Sequence, residues 1–264
     1  MLLGDWLRER PFALAMSSGF FGFFAHTGLV SVLEDERLLP TRITGSSAGA
    51  LVGGAWASGL LPRQLADTLF ALRRESFWDP RIGPGLLRGA LFRQLLDALL
   101  PVRTFAACPV PLAISVFDVV GRRVRVLDRG LLAPAIQASC SVPLMFQPVW
   151  IDGRPHVDGG VADRPGLAGM PDTERVLFHH LASRSPWRRR GSPSMEIPSR
   201  ANMTTVVVDD LPRVGPFRLE EGVRAFDDAR TAMQRALREP VQESHGRRVV
   251  TLSGRQGAAP KAIA

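Results

Sequence analysis

The sequence has no tyrosine, a single lysine (Lys261) and two cysteines, Cys108 and Cys140. Two thiols cannot build the disulfide framework of a small secreted scaffold, so they read as reduced cysteines of a cytoplasmic protein. With one lysine, nearly all of the 33 basic residues are arginines. They are spread along the chain rather than gathered in one tract, so the net charge of +8 reads as a compositional skew. A nucleic-acid binder would show steep salt dependence, but no recognisable binding motif is present, and no nucleic-acid partner is expected. No histidine or cysteine cluster has metal-ligand spacing, so neither a metal nor a cofactor is implied.

A clean membrane-spanning run is also lacking. Pro11 to Leu33 carries no formal charge, yet Ser17, Ser18, Gly19, Gly22, His26, Thr27 and Gly28 fall in its middle, where hydrocarbon would leave their polar groups unpaired. Asp5, Arg8, Glu9 and Arg10 in the leader do not suit a signal peptide. The 25 glycines and 21 prolines follow no period, which excludes a collagen-like rod. There is ample apolar material for a core, with 45% hydrophobic and 22% charged residues. The expectation is one domain over residues 1–253, followed by a disordered tail, 254–264, that has little to bury it.

The pattern along the chain is α/β. Phe12 to Met16 is a short apolar run that suits a buried parallel strand. Phe23 to Leu33 suits a helix, Arg42 to Thr44 a second strand, and Ala50 to Leu60 a helix of small residues. This strand–turn–helix repeat begins a mainly parallel sheet. Residues 62 to 104 read as helical around a loop near Asp79 to Gly85. Strands are expected at Val110 to Val119, Arg122 to Leu127, Val176 to His180 and Thr204 to Val208. Leu132 to Ser139 reads as a helix, and Asp152-Gly153 as the turn of a hairpin. Leu219, Val223, Phe226, Ala229, Met233 and Leu237 recur at helical spacing.

Three segments could carry chemistry. Gly45-Ser46-Ser47-Ala48-Gly49 matches G-x-S-x-G between a strand and a helix, the context in which a serine is held on a sharp turn with its hydroxyl exposed. Ser17-Ser18-Gly19-Phe20-Phe21-Gly22 follows the first strand and could aim backbone N–H groups at a developing oxyanion. Asp158-Gly159-Gly160 could supply the base that a serine nucleophile needs, though Asp-Gly is also a common turn dipeptide. The order Ser47, aspartate, then His179 or His180 would also suit an ordinary α/β-hydrolase triad. That fold, however, needs more strands ahead of its serine than the first 47 residues can hold.

In order and together, these segments resemble the patatin-like phospholipase family of lipid acyl hydrolases. The matching residues are Leu14 to Gly19 with Ala25-His26-Thr27-Gly28, then Gly45 to Gly49, then Ala138-Ser139-Cys140-Ser141-Val142-Pro143, Pro148, Asp152-Gly153 and Asp158-Gly159-Gly160. The resemblance implies a three-layer α/β fold with a mainly parallel sheet between helices. It implies a serine–aspartate dyad with Ser47 as nucleophile and Asp158 as base. It further implies an oxyanion hole from the backbone N–H groups of Gly19, Phe20 and Ala48, and close-packing motif glycines at Gly45, Gly49, Gly159 and Gly160. The substrate would be a fatty acyl ester of a phospholipid or lysophospholipid. Burial is expected to make the aspartate more basic than its ordinary pKa of about 3.9.

Two positions depart from the family pattern. Phe20 stands where a third loop glycine is usual, and Gly22 where an arginine is usual. Because phenylalanine is barred from angles open to glycine, the departure keeps an alternative alive: a catalytically weak relative that binds lipid or acyl ligands. Phe20, Phe21, Phe23 and Phe24 could line an acyl pocket or simply fill the core. Arg184, Trp187 and Arg188 to Arg190 lie in one segment that could touch an anionic surface at the inner face of the membrane. The oligomeric state is left open.

Overall fold

The computed structural model describes residues 1–182, 196–244 and 247–254. The basic segment containing Trp187 and almost all of the C-terminal tail lie outside these residues. The chain opens with a short helix, α1 (Leu3–Glu9), which the sequence pattern did not flag. Strand β1 (Ala13–Met16), helix α2 (Phe23–Asp35), strand β2 (Ile43–Ser46) and helix α3 (Ala48–Ala57) then follow as the pattern predicts. The expected helical region splits into α4 (Pro62–Phe70), a three-residue strand β3 (Gly85–Leu87) and α5 (Ala90–Leu99). Next come β4 (Leu112–Asp118), β5 (Arg123–Leu127), α6 (Leu132–Ser139), β6 (Leu144–Phe146), β7 (Val149–Ile151) and β8 (Arg154–Asp158). The chain continues through β9 (Val176–His180), β10 (Met203–Asp209), α7 (Glu221–Ala236), β11 (Gln242–Ser244) and β12 (Arg247–Ser253).

The main sheet runs β11-β12-β10-β9-β1-β2-β4-β8-β7, with β5 also paired to β4. Its centre, from β12 through β4, is parallel, and the antiparallel pairs lie towards its two ends. Side chains alternate across it as the pleat requires. Leu14 and Met16 enter the large core formed with α2, α3, α6 and α7, while Ala13 and Ala15 join a smaller cluster with Met170, Phe178 and Met203 on the other face. The uncharged segment Pro11 to Leu33 is thus divided into β1, a loop and α2. Among the described residues no helix is long and apolar enough to cross a membrane.

The registers on β4 decide what lies opposite what. Residues 112 to 115 pair with parallel β2, and residues 116 to 118 pair with antiparallel β8. β5 pairs with 114 to 118, so it must occupy one edge while β2 and β8 share the other. The last residue of β2, Ser46, pairs with Ser115; the last residue of β8, Asp158, pairs with Val116. Two strands running towards each other along one edge therefore bring Ser47 and Asp158 together.

Candidate active site

Ser47 links β2 to α3 with φ 53° and ψ −116°, a backbone conformation that L residues rarely adopt and that costs of order 1–3 kcal/mol unless its surroundings enforce it. Here they do. A Cβ on Gly45 would lie 2.5 Å from the Gly49 carbonyl, and one on Gly49 would lie 2.1 Å from the Met16 carbonyl oxygen. Strand and helix can approach this closely only because both residues are glycine. The turn projects the Ser47 hydroxyl towards β8, where it donates to Asp158 Oδ2 at 2.6 Å.

Asp158 is nearly buried, 6% exposed. Its second oxygen, Oδ1, accepts the Gly160 N–H at 2.7 Å. Gly159 and Gly160 are close-packed: a Cβ on the first would meet the Ser115 carbonyl oxygen at 2.1 Å, and one on the second Ser18 Oγ at 2.4 Å. The Asp-Gly-Gly turn is therefore packed against β4 and the first loop rather than open to solvent.

The first loop and the start of α3 face the same space. Among the described residues, nothing accepts from the N–H of Gly19, Phe20 or Ala48, and all three residues line the cavity beside Ser47. Ala48 is the first residue of α3, where unpaired N–H groups carry the positive end of the helix dipole. The strain anticipated at Phe20 lies one residue later: Phe21 has φ 52°, while Phe20 is outside the left-handed region. At Gly22, where the family commonly has arginine, a Cβ would lie 2.3 Å from Leu181 Cδ1, so this loop has closed around leucine instead.

The cavity holds about 440 Å³ and is almost wholly apolar. Its walls are Phe20, Phe21 and Phe23 from the loop and α2, Leu69 and Leu72 from the α4 region, Leu95, Leu96 and Leu99 from α5, and Val142, Met145 and Phe146. Phe24, by contrast, is 1% exposed within the core. The phenylalanine group thus divides between pocket wall and core.

The motif after α6 supplies support whose role the sequence pattern did not show. Ser139, at the end of α6, accepts the Ser47 N–H at 2.9 Å through its hydroxyl and donates to the Ser115 carbonyl at 2.7 Å. Cys140 Sγ donates to the Ser47 carbonyl at 3.2 Å. The Ser141 carbonyl accepts the Asp158 N–H at 2.9 Å. Three consecutive residues thus grip both Ser47 and Asp158. The motif Ala138 to Pro143 was visible in the sequence; its contacts to Ser47, more than ninety positions away, and to Asp158 were not. Burial, and next the negative charge of Asp158, push the Cys140 thiol well above its ordinary pKa, which keeps it a neutral donor here.

His26 and His179 bond to each other and to the first loop rather than to the serine. His26 Nε2 must donate to the Ser17 carbonyl, 2.8 Å away, since a carbonyl can only accept. His26 Nδ1 then accepts from His179 Nδ1–H at 2.8 Å. Burial, ahead of the Arg164 charge, lowers the His26 pKa to about 4, and burial also holds His179 well below its ordinary value. This neutral pair braces the root of the first loop. Arg164 does so from another side: its carbonyl accepts the Ser18 N–H at 2.7 Å and its guanidinium donates to the Leu181 carbonyl. Among the described residues no group of three or more His, Cys, Asp or Glu is placed to hold a metal ion.

Comparison with known proteins matches this architecture. The family model described as patatin-like phospholipase matches residues 14–169, a span holding both Ser47 and Asp158. Uncharacterised NTE family proteins of Mycobacterium tuberculosis and Mycobacterium bovis are 33% identical over 157 residues, covering 57% of this chain. The match covers 43% of those relatives' own length, so the chain aligns with less than half of each. The crystal structure of VipD from Legionella pneumophila superposes with a TM-score of 0.65 at 14% identity, over 86% of this chain and 66% of that one; at that identity it shows the shared fold alone. The chain belongs to the patatin-like phospholipase family.

Proposed function

We propose that this protein is a serine acyl hydrolase that cleaves fatty acyl esters of phospholipids or lysophospholipids through a Ser47–Asp158 dyad and an acyl-enzyme. The observation that carries this reading is the 2.6 Å hydrogen bond from Ser47 Oγ to Asp158 Oδ2, made by a serine held at φ 53°. In the first half-reaction Asp158 takes the hydroxyl proton as Ser47 Oγ attacks the ester carbonyl. The unpaired N–H groups of Gly19, Phe20 and Ala48 donate to the resulting oxyanion, and α3 adds its dipole. The proton passes to the leaving alcohol. In the second half-reaction Asp158 deprotonates water, which attacks the acyl-enzyme, and the proton returns to Ser47 as the fatty acid leaves. Gly160 occupies Asp158 Oδ1, which leaves Oδ2 to serve the serine.

The apolar cavity beside Ser47 supports an acyl chain as the group bound, since its walls are almost wholly hydrophobic side chains that a lipid tail can contact. The two cysteines are unbridged, which supports the cytoplasmic placement, with peripheral contact at the inner face of the membrane where the substrate lies.

Labelling with a fluorophosphonate probe, with the modified peptide located by mass spectrometry, tests the reading. Label is expected on Ser47, absent in Ser47→Ala and sharply reduced in Asp158→Asn. A folded wild type that resists the probe overturns it and favours the catalytically weak, lipid-binding relative.

A further inference from the structure

Strands β3 and β6 form a two-stranded parallel ribbon separate from the main sheet, pairing Gly85 with Leu144 and Leu87 with Phe146. Its inner side chains belong to the candidate site. Leu87 and Phe146 pack with Phe77, and Phe146 and Met145 form cavity wall. Its outer side chains have no such cover. Leu86 is 51% exposed and Leu144 73%; Ile82, in the segment just before β3, is 103% exposed, and the three share one open groove. Scattered apolar residues on a surface are ordinary; a contiguous cluster on the outer side of a pocket wall is not.

Leu144 adds an independent signal. Its backbone sits at φ 67°, a left-handed conformation that is unfavourable for a branched apolar residue and natural for glycine or asparagine. The fold therefore bears strain at a side chain that contributes little to the core. Strain of this kind collects at functional positions.

The charge around the ribbon identifies what it fits. Between residues 73 and 88 stand Arg73, Arg74, Arg81 and Arg88 against Glu75 and Asp79. The Asp79 carboxylate is consumed by the N–H groups of Gly89, Ala90 and Leu91 at the start of α5. Arg81 and Arg88 make no ion pair among the described residues. A second copy of the chain is a poor occupant: a narrow strip of three side chains falls short of the roughly 800 Å² per partner that a stable interface buries, and self-association would oppose like arginines. An anionic lipid surface satisfies both features, taking apolar side chains among its acyl tails and arginines at its phosphates.

We propose that the β3–β6 ribbon is an interfacial docking edge that inserts Ile82, Leu86 and Leu144 into an anionic bilayer, with Arg81 and Arg88 on the phosphates, so that the apolar cavity sits against its lipid source. Docking itself stands without the hydrolase reading; only its purpose rests on that reading.

The test uses the whole chain in co-sedimentation with vesicles of phosphatidylcholine alone and of equal parts phosphatidylcholine and phosphatidylglycerol. Wild type is expected on the mixed vesicles and much less on the neutral ones. Arg81→Glu with Arg88→Glu removes that preference, each arginine contributing about fivefold to partitioning. Leu144→Asn lowers partitioning while holding or raising Tm, a combination that a purely structural role cannot give. Ile82→Ser, Leu86→Ser and Leu144→Asn together abolish binding, yet leave hydrolysis of a short soluble ester unchanged.

Wild type that ignores the mixed vesicles, or variants that bind as tightly as wild type, overturns the proposal. So does a wild-type dimer in sedimentation velocity that the triple substitution dissociates, since the ribbon would then be a protein interface. Vesicle binding by a chain that no fluorophosphonate labels supports docking and removes only the hydrolase reading.

Discussion

The chain makes the same move twice, a parallel strand turning into a helix, and holds the two turns in different ways. After β2 the elbow is locked by backbone. Gly45 and Gly49 lie against each other, Gly49 lies against the Met16 carbonyl, and Ser139 fixes the strained Ser47 peptide. After β1 the longer loop from Ser17 to Gly22 is held largely by side chains: Leu181 fills the space beside Gly19 and Gly22, and the His26–His179 pair supports Ser17. A peptide group cannot rotate away from an intruding atom, whereas a leucine methyl can. The group proposed to attack thus sits on the rigid turn, and two of the proposed oxyanion donors sit on the one able to adjust.

Alanine at matching glycines measures that difference directly. Gly49→Ala places a methyl 2.1 Å from a carbonyl oxygen and should cost more than about 3 kcal/mol, with loss of the elbow. Gly19→Ala meets Leu181 Cδ1 at 2.5 Å and should cost only about 1 kcal/mol, since the leucine can turn. Urea denaturation of both variants compares them. Equal costs would mean that the two turns are equally rigid.

The loop's histidine support should make stability depend on pH where the elbow's contacts do not. In the unfolded chain His26 titrates near its ordinary value of 6.5, and in the fold at about 4. A lowered folded value means that the unfolded state binds more protons between these limits. Stability is then complete above about pH 6.5 and falls as the pH drops towards 4. Each pH unit within the window costs about 1.4 kcal/mol, so the loss approaches about 3 kcal/mol for His26 alone. His179 shifts in the same direction. Denaturation at pH 7 and pH 5 should show a slope that His26→Gln reduces; an unchanged slope would remove the pair from the account.

Ser139 tests the elbow's outer support. Ser139→Ala leaves the Ser47 N–H without its acceptor while Ser47 and Asp158 remain. The expected result is a kcat lower by roughly 10- to 100-fold with KM nearly constant, as for loss of positioning. Ser139→Cys should recover part of the rate, and a fall in Tm without a change in kcat would assign Ser139 to stability alone.

These supports also mark how far the sequence could be read. Local signals were legible: the apolar run of β1, the G-x-S-x-G turn, the I′-like hairpin at Asp152-Gly153, whose φ values are 51° and 72°, and the boundaries of α6. The ordered motifs pointed to the family. What stayed hidden was long-range. No periodicity reveals that Ser139 faces Ser47 across 92 positions, or that His26 meets His179. The three-residue strands β3 and β6 are too short for any alternation to register, and β12 begins on two arginines. Phe20 was legible as a departure, but which residue of the loop bears the positive φ depends on how the turn closes on Leu181.

That displacement gives the smallest and most discriminating prediction. Because Phe20 is not at positive φ, restoring glycine there relieves no strain. It removes one ring from the cavity wall and frees a backbone that the unfolded chain then exploits, at roughly 0.5–1 kcal/mol. Phe20→Gly should therefore lower Tm by a few degrees and change the rate of fluorophosphonate labelling by less than about threefold, well under 1 kcal/mol in barrier. A tenfold rise would show that Phe20 holds the loop away from its working shape. The natural chain would then be the weak, lipid-binding relative, and the loop rather than the elbow would decide between the two readings.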